Sequence, residues 1–283
     1  MRVNIHILLS ALLVTLVQAI PARAGWPVGK RHYVISTTIS FYKADKGWNN
    51  AGKLENIDGS FQAQSLGVYA AYGLNRGLDL IVTLPASYQT TTNQYGTFHQ
   101  SGAGDLQLGL SGVLKHFNYA NYITLYVGGV APLYKNSDVK TFGLGNTGMI
   151  AKLSNSGPLG KKTYYNVDLG GGQYFGNNAP RQLTWDGLLG FKLDDVNQLN
   201  FGYGGIYSQS DDKGLTLNAF AARNYAYQRV TAGYGHSFSK RFTMNLSGFY
   251  IVTGRNTGQG YGAALAASMK LPYYGKHHAN YLR

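Results

Sequence analysis

The chain of 283 residues contains no cysteine. That excludes a disulfide framework and any thiolate-held metal. Charge is scarce: Asp, Glu, Lys and Arg together make 13% of the sequence, against about a quarter in ordinary soluble domains. Acid is the rarer sign, with 12 Asp and Glu against 25 Lys and Arg. The basic residues are dispersed rather than clustered with stacking aromatics, which argues against nucleic acid as a partner. Carboxylate pairs at hydrolase spacing and clusters at metal-ligand spacing are lacking, so no enzyme activity, cofactor or metal is expected. His277 and His278 are adjacent in a tail and read as solvated. After Gly25 there is no run of about 18 apolar residues, the length a spanning helix requires.

The first 24 residues, "MRVNIHILLSALLVTLVQAIPARA", are different. A basic residue near the start precedes an apolar run from Ile7 to Val17, a helix-ending Pro21, and small residues at both positions of Ala22-Arg23-Ala24. This is the pattern of a secretory signal peptide cut before Gly25, and the apolar run is too short for a membrane anchor. An exported chain without disulfides needs a large core or a membrane. Without a spanning helix, only a closed barrel satisfies its backbone inside a bilayer.

What is plentiful fits that solution: 38 Gly and 23 Tyr, arranged in strict alternation. In "SLGVYAAYGLNRGLDLIVTLPAS", Leu66, Val68, Ala70, Tyr72 and Leu74 share one face, and Ser65, Gly67, Tyr69, Ala71 and Gly73 the other. Beyond the turn at 75–77, Leu78, Leu80, Val82 and Leu84 continue the apolar face opposite Asp79, Ile81 and Thr83. "GDLQLGLSGVLK" and "NYITLYVGG" repeat the pattern, as do segments ending at Leu271. About twelve such segments, most near the ~10 residues of a tilted spanning strand, predict an all-β, antiparallel, up-and-down transmembrane barrel over 25–272. Residues 273–283 then form a short periplasmic tail. A soluble sandwich would also alternate, but here the second face is too polar and too small to form a packed core.

The links support the same reading, because such barrels alternate short periplasmic turns with long external loops. Links 44–60, 88–102 and 208–223 read as long and external; 75–77, 116–120, 194–197 and 239–241 read as short and internal. The internal link 154–162 is longer than the pattern asks, and the external 175–180 shorter. The long 208–223 link is a candidate to fold into the pore. Tyr72, Tyr165, Tyr203, Tyr234 and Tyr261 are placed for the aromatic girdles of a barrel.

"GDLQLGLSGVLK" resembles the Gly-Asp-Leu-x-Leu-Gly strand of outer-membrane barrels grouped as transporters of the phenol-degradation MetA pathway, themselves similar to FadL-like hydrocarbon transporters. "GWPVGKRHYVISTTISFY" and "GRNTGQGYGAALA" are similar to XagA-like exported barrels. The resemblance implies an outer-membrane channel or transporter without enzyme activity. The sequence departs from many such barrels by ending "YYGKHHANYLR" rather than on a terminal aromatic.

Two motifs suggest other chemistry. In "FGLGNTGMI", Gly143, Gly145 and Gly148 have the spacing of a dinucleotide-binding loop, with Asp168 downstream. That loop needs a following helix, and "GMIAKL" alternates like a strand instead. In "FHQSG", His99 and Ser101 point to one side of an extended strand near the outer rim. Outer-membrane phospholipases of the phospholipase A family use a His-x-Ser pair. Here the Asn that follows in that family is missing, and no third group is placed to orient His99.

Function therefore falls to the lumen. The expected inward charges are Asp79, Asp105, Lys115, Lys152, Asp168, Asp186, Lys192, Arg229 and Lys270, candidates for solute binding or for cross-barrel pairing that plugs the pore. A barrel of this strand number is narrower than a sixteen-stranded porin. The expected role is passage of small solutes across the outer membrane, hydrophobic or aromatic as the resemblance implies. The alternatives are a structural, exopolysaccharide-export or receptor barrel with a closed lumen, and a surface phospholipase. Expected partners are outer-membrane lipid and lipopolysaccharide, the solute, and the barrel-insertion machinery. The net charge, +13 overall, favours phosphate-bearing lipid or an anionic solute.

Overall fold

The computed structural model describes residues 26–134, 142–211 and 223–271. Among the described residues there is no helix, and hence none long and apolar enough to cross a membrane. The strands are β1 (Tyr33–Trp48), β2 (Leu54–Gly73), β3 (Leu78–Asn93), β4 (Gly96–Ala103), β5 (Asp105–Phe117), β6 (Asn121–Pro132), β7 (Gly148–Pro158), β8 (Thr163–Tyr174), β9 (Arg181–Lys192), β10 (Asn197–Gln209), β11 (Tyr225–Ser237), β12 (Phe242–Arg255) and β13 (Thr257–Leu271). All pairings are antiparallel, and β1 pairs with both β2 and β13, so the sheet closes. β4 and β5 both pair with β3, β4 along its outer half and β5 along its inner half. They occupy one place in the wall, offset at Gly104, and the barrel has twelve staves as the alternation predicts.

The pleat sorts the side chains. In β1, Ile35, Ile39 and Phe41 are 41%, 37% and 36% exposed, while the intervening Ser36, Thr38 and Ser40 are 2%, 5% and 3%. The same holds around the wall: Leu108, Leu110, Leu153, Val167, Leu169, Leu246 and Leu265 all face out. A soluble sandwich turns this face inward. An apolar exterior around the whole wall is stable only against lipid. The five tyrosines expected in the girdles all lie on outward register positions, but Tyr203 stands at mid-strand, level with Asp186 and Arg229, and so away from either rim. Tyr72 stacks on Tyr33 at a ring separation of 4.7 Å.

The links come out shorter than the sequence reading expects. Residues 44–60 are mostly strand, with only 49–53 outside it, and 88–102 form the β3–β4 hairpin turning at 94–95. The reason is local: "TTTN" and "TFH" are β-branched and aromatic, and Thr92 and Thr97 bond across the hairpin at 3.2 Å. The link expected at 154–162 shrinks to 159–162, because β7 continues through Pro158. All links on the side of residues 74–77 are short, which marks that side as periplasmic. The expected pore-folding link at 208–223 lies mostly outside the described residues, as do the leader, the tail after Leu271, His277 and His278.

Candidate functional site: the lumen

Inward positions arrange themselves in three tiers. The extracellular tier holds two aromatic and aliphatic clusters, with the polar side chains of Gln89, Ser208, Asn224, Asn256 and Thr257 buried beside them. Tyr42, Trp48, Phe61 and Ile251 form one buried cluster with Phe249 against it. Val130, Leu144, Tyr174 and Tyr225 form a second, and Tyr227 touches both. Their rings lie along the wall because the wall there is glycine. A Cβ at Gly260 would overlap the ring of Tyr42, which reaches across it to donate to Gly258 O at 3.2 Å and stacks on Phe249 at 6.2 Å.

Leu144 enters this tier from the strand-entry segment 142–147 that carries the glycine motif. Phe142 and Leu144 are 7% and 4% exposed. The Leu144 N–H donates to Asp105 Oδ2 at 2.8 Å. Gly143 lies so close over that carboxylate that a Cβ would collide with it. Strand β7, not a helix, follows the motif, so no helix dipole is available for a phosphate. The glycines instead let this segment turn into the outer mouth.

The middle tier is a charge ladder on one wall. Lys152 donates to Asp168 Oδ2 at 3.1 Å, and Arg229 pairs with Asp186 at 3.5 Å. Asp168 and Asp186 are direct cross-strand partners. Two carboxylates side by side repel, and here a cation flanks each of them. The four charges sum to zero, so the ladder offers little net field to a charged solute.

The periplasmic tier is polar. Tyr164 lies over Gly190, where a Cβ would overlap its ring, and donates to Asn200 Oδ1 at 2.7 Å. Asn166 donates to Asp168 Oδ1 at 3.1 Å. Below them the chain before β1 crosses the mouth. The Val28 N–H donates to Asp79 Oδ2 at 2.9 Å. Trp26 reaches the opposite wall, donating from Nε1 to Ala120 O at 3.2 Å and packing on Tyr164 at a ring separation of 6.2 Å.

Of the expected inward charges, Lys152, Asp168, Asp186 and Arg229 meet in the ladder, Asp79 holds the crossing segment, and Asp105 holds the outer one. Lys192 and Lys270 lie on inward register positions at the periplasmic mouth. Lys115 does not face the lumen. A register shift between Val113 and Lys115 puts it opposite Ile123 on the outer face, with its ammonium 5.0 Å from the Phe117 ring. The Val113 N–H turns to Gly77 O at 2.7 Å, and the bulge reverses the parity.

His99 and Ser101 share the outer face of the β3–β4 hairpin. His99 Nδ1 is 2.9 Å from the Tyr88 hydroxyl and 3.1 Å from the Thr90 hydroxyl. The histidine is held by two hydroxyls of the neighbouring strand rather than oriented by a carboxylate. A shallow apolar groove of about 460 Å³ between Phe201, Ala232, Tyr234, Leu246, Gly248 and Ala263 lies on the lipid side, where small residues leave the wall thin.

The structure is similar to the crystal structure of an outer membrane channel from Pseudomonas putida F1, with a TM-score of 0.69 at 14% identity, over 90% of this chain and 100% of that one. Weaker likenesses are the NanC porin (TM-score 0.47, 10% identity, 82% of this chain and 100% of that one) and the translocator domain of the autotransporter NalP from Neisseria meningitidis (0.48, 13%, 87% and 89%). No protein-family model and no curated protein sequence matches. Closure, apolar exterior and the first likeness together define the class of fold: a twelve-stranded transmembrane β-barrel of the outer-membrane kind.

Proposed function

We propose that the protein is an outer-membrane channel for small, uncharged, hydrophobic or aromatic solutes. The observation that carries this reading is the order of the tiers: an aromatic, glycine-backed outer tier stands above a charge ladder that compensates itself. A solute with a flat apolar face that passes the outer tier meets ring surface there, at about 0.5–1.5 kcal/mol per well-placed aromatic pair beyond area burial. A charged solute meets no unbalanced counter-charge in the ladder to offset its desolvation.

A planar bilayer tests this. The protein should give small discrete conductance steps, and an uncharged aromatic alcohol should block the ion current at concentrations where benzoate and arabinose do not. Stronger block by benzoate or arabinose would sink the solute class. A second reading, a receptor or export-associated barrel with a closed lumen, draws on the occupancy of both mouths, by Trp26 and Val28 below and by Phe142 and Leu144 above. Silence from a folded barrel would favour it.

A further inference from the structure

Exposed charge is distributed unequally between the two rims. Among the described residues of the extracellular side, the exposed cations Lys46, Lys53 and Arg181 stand with the exposed acids Asp45, Glu55, Asp58 and Asp211, while Lys43, Arg223 and Arg255 are half-buried, so the exposed charge of that rim is close to neutral. On the periplasmic side the turns are basic: Arg76 after β2, Lys115 at the end of β5, Lys161 and Lys162 after β7, Lys240 and Arg241 after β11, all exposed. Lys30 and Arg31 add to them where the chain approaches β1. Among the described residues the exposed acids on this rim are Asp194 and Asp195, confined to one turn. Lipopolysaccharide phosphates lie at the other rim, so they cannot be the partner of this excess.

Two features identify the partner. The cations are spread over four of the five periplasmic turns, and so surround the barrel instead of forming one patch. They also sit among outward aromatics at headgroup depth: Lys115 lies 5.0 Å over the Phe117 ring, and Phe238 and Phe242, 5.6 Å apart, bracket Lys240 and Arg241. Basic residues interleaved with a membrane-interface belt are placed for lipid phosphates. A folded protein partner would need contiguous surface. We propose that the periplasmic rim is a collar that binds anionic glycerophospholipid of the inner leaflet. The proposal rests on the barrel's orientation and not on what passes through the lumen.

Protein isolated from outer membranes in detergent would be offered phosphatidylglycerol and phosphatidylcholine in equal amounts, and the retained lipids counted by native mass spectrometry. We expect retention to favour phosphatidylglycerol by about five-fold or more, and this preference to fall toward one in ~1 M salt, where the screening length is about 3 Å. The combined Arg76→Gln, Lys161→Gln, Lys162→Gln and Lys240→Gln variant should lose the preference; Lys43→Gln with Lys46→Gln and Lys53→Gln should keep it. Heat-modifiable gel mobility reports that each variant is folded. Equal retention of both lipids by the unmodified protein overturns the proposal, as does an undiminished preference in the periplasmic variant. A third result also overturns it: no lipid preference, but capture of poly-glutamate that the periplasmic variant loses. The collar would then serve an acidic polypeptide.

Discussion

The two halves of the lumen are built from the same device with opposite surroundings. In each, a tyrosine lies flat over a glycine of the neighbouring strand: Tyr42 over Gly260 above, Tyr164 over Gly190 below. Above, the ring is packed by Phe61, Phe249 and Ile251. Below, its hydroxyl is tied to Asn200 and its face meets Trp26. What differs is what a solute touches: hydrocarbon and ring face in the outer half, amide and hydroxyl in the inner. The charge ladder stands at the boundary, and the two halves are closed independently, one by the Asp105-held segment and the other by the Asp79-held segment.

The largest expected change comes from abolishing the lower closure. Trp26→Ala with Val28→Gly removes the ring that spans the mouth and the valine at the Asp79 contact. Single-channel conductance should rise by about an order of magnitude where the lower closure limits current, since widening a short aqueous constriction acts directly on the rate-limiting step. An unchanged conductance would mean that the upper segment limits flow, and the equivalent experiment at Leu144→Gly would then have to show the rise. Next in size is a charge placed among the outer rings. Ile251→Arg should reduce block by an uncharged aromatic alcohol about ten-fold, because it exchanges apolar contact for a hydrated cation, a loss near 1.4 kcal/mol. Equal block in this variant would remove the outer tier from solute recognition.

How much of this could be read from the sequence depends on parity. Strand alternation is periodic in two, so the barrel, its lipid face, the outward direction of the five tyrosines and eight of the nine inward charges follow from counting along each strand. Lys115 is lost because one bulged residue reverses the count, and nothing in "GVLKHF" signals a bulge. Tyr42 and Tyr164 were within reach, since each alternates with outward neighbours, but an alternating tyrosine reads equally as girdle or lumen until the strand's phase is set. Trp26, Val28, Phe142 and Leu144 lie in irregular segments without a period. Their places follow from distant carboxylates, Asp79 and Asp105, which read in the sequence only as lumen charges. The hairpins over 44–60 and 88–102 run past the bilayer, where alternation no longer has a membrane to explain it.

Smaller effects sharpen the boundary between the halves. Asp186→Asn leaves Arg229 facing a neutral amide beside Asp168, turning the ladder net positive. The reversal potential in a salt gradient should shift toward anion selectivity, and stability to guanidinium should drop by about 1–3 kcal/mol, the usual cost of stripping a partner from a charged group. A cation-selective variant would show that the ladder does not face the conducting path. Gly190→Ala should cost a similar 1–3 kcal/mol, as overpacking does, because the new methyl displaces the Tyr164 ring from the wall. It should also lower conductance, and Gly190→Ala with Tyr164→Ala should restore it. Failure of that rescue would mean that the ring does not narrow the inner half.

The smallest effect belongs to the turn beneath that inner half. Asp194 is fully exposed, and its carboxyl is held below the usual range first by the Asn197 amide, whose Nδ2 donates at 2.6 Å, and then by the N–H groups of Val196 and Asn197, each at 2.8 Å. Asn197 continues upward to His236 Nδ1 at 2.7 Å and to the Tyr234 hydroxyl. A depressed carboxyl favours the folded state above its unfolded pKa of about 3.9, and that contribution fades as pH falls through the lower folded value. Asp194→Asn should therefore unfold at slightly lower guanidinium concentration than the unmodified protein at pH 7, and the two midpoints should converge below about pH 3. A gap that persists in acid would show that the turn is held by geometry the amide also disrupts, and not by the carboxylate's charge.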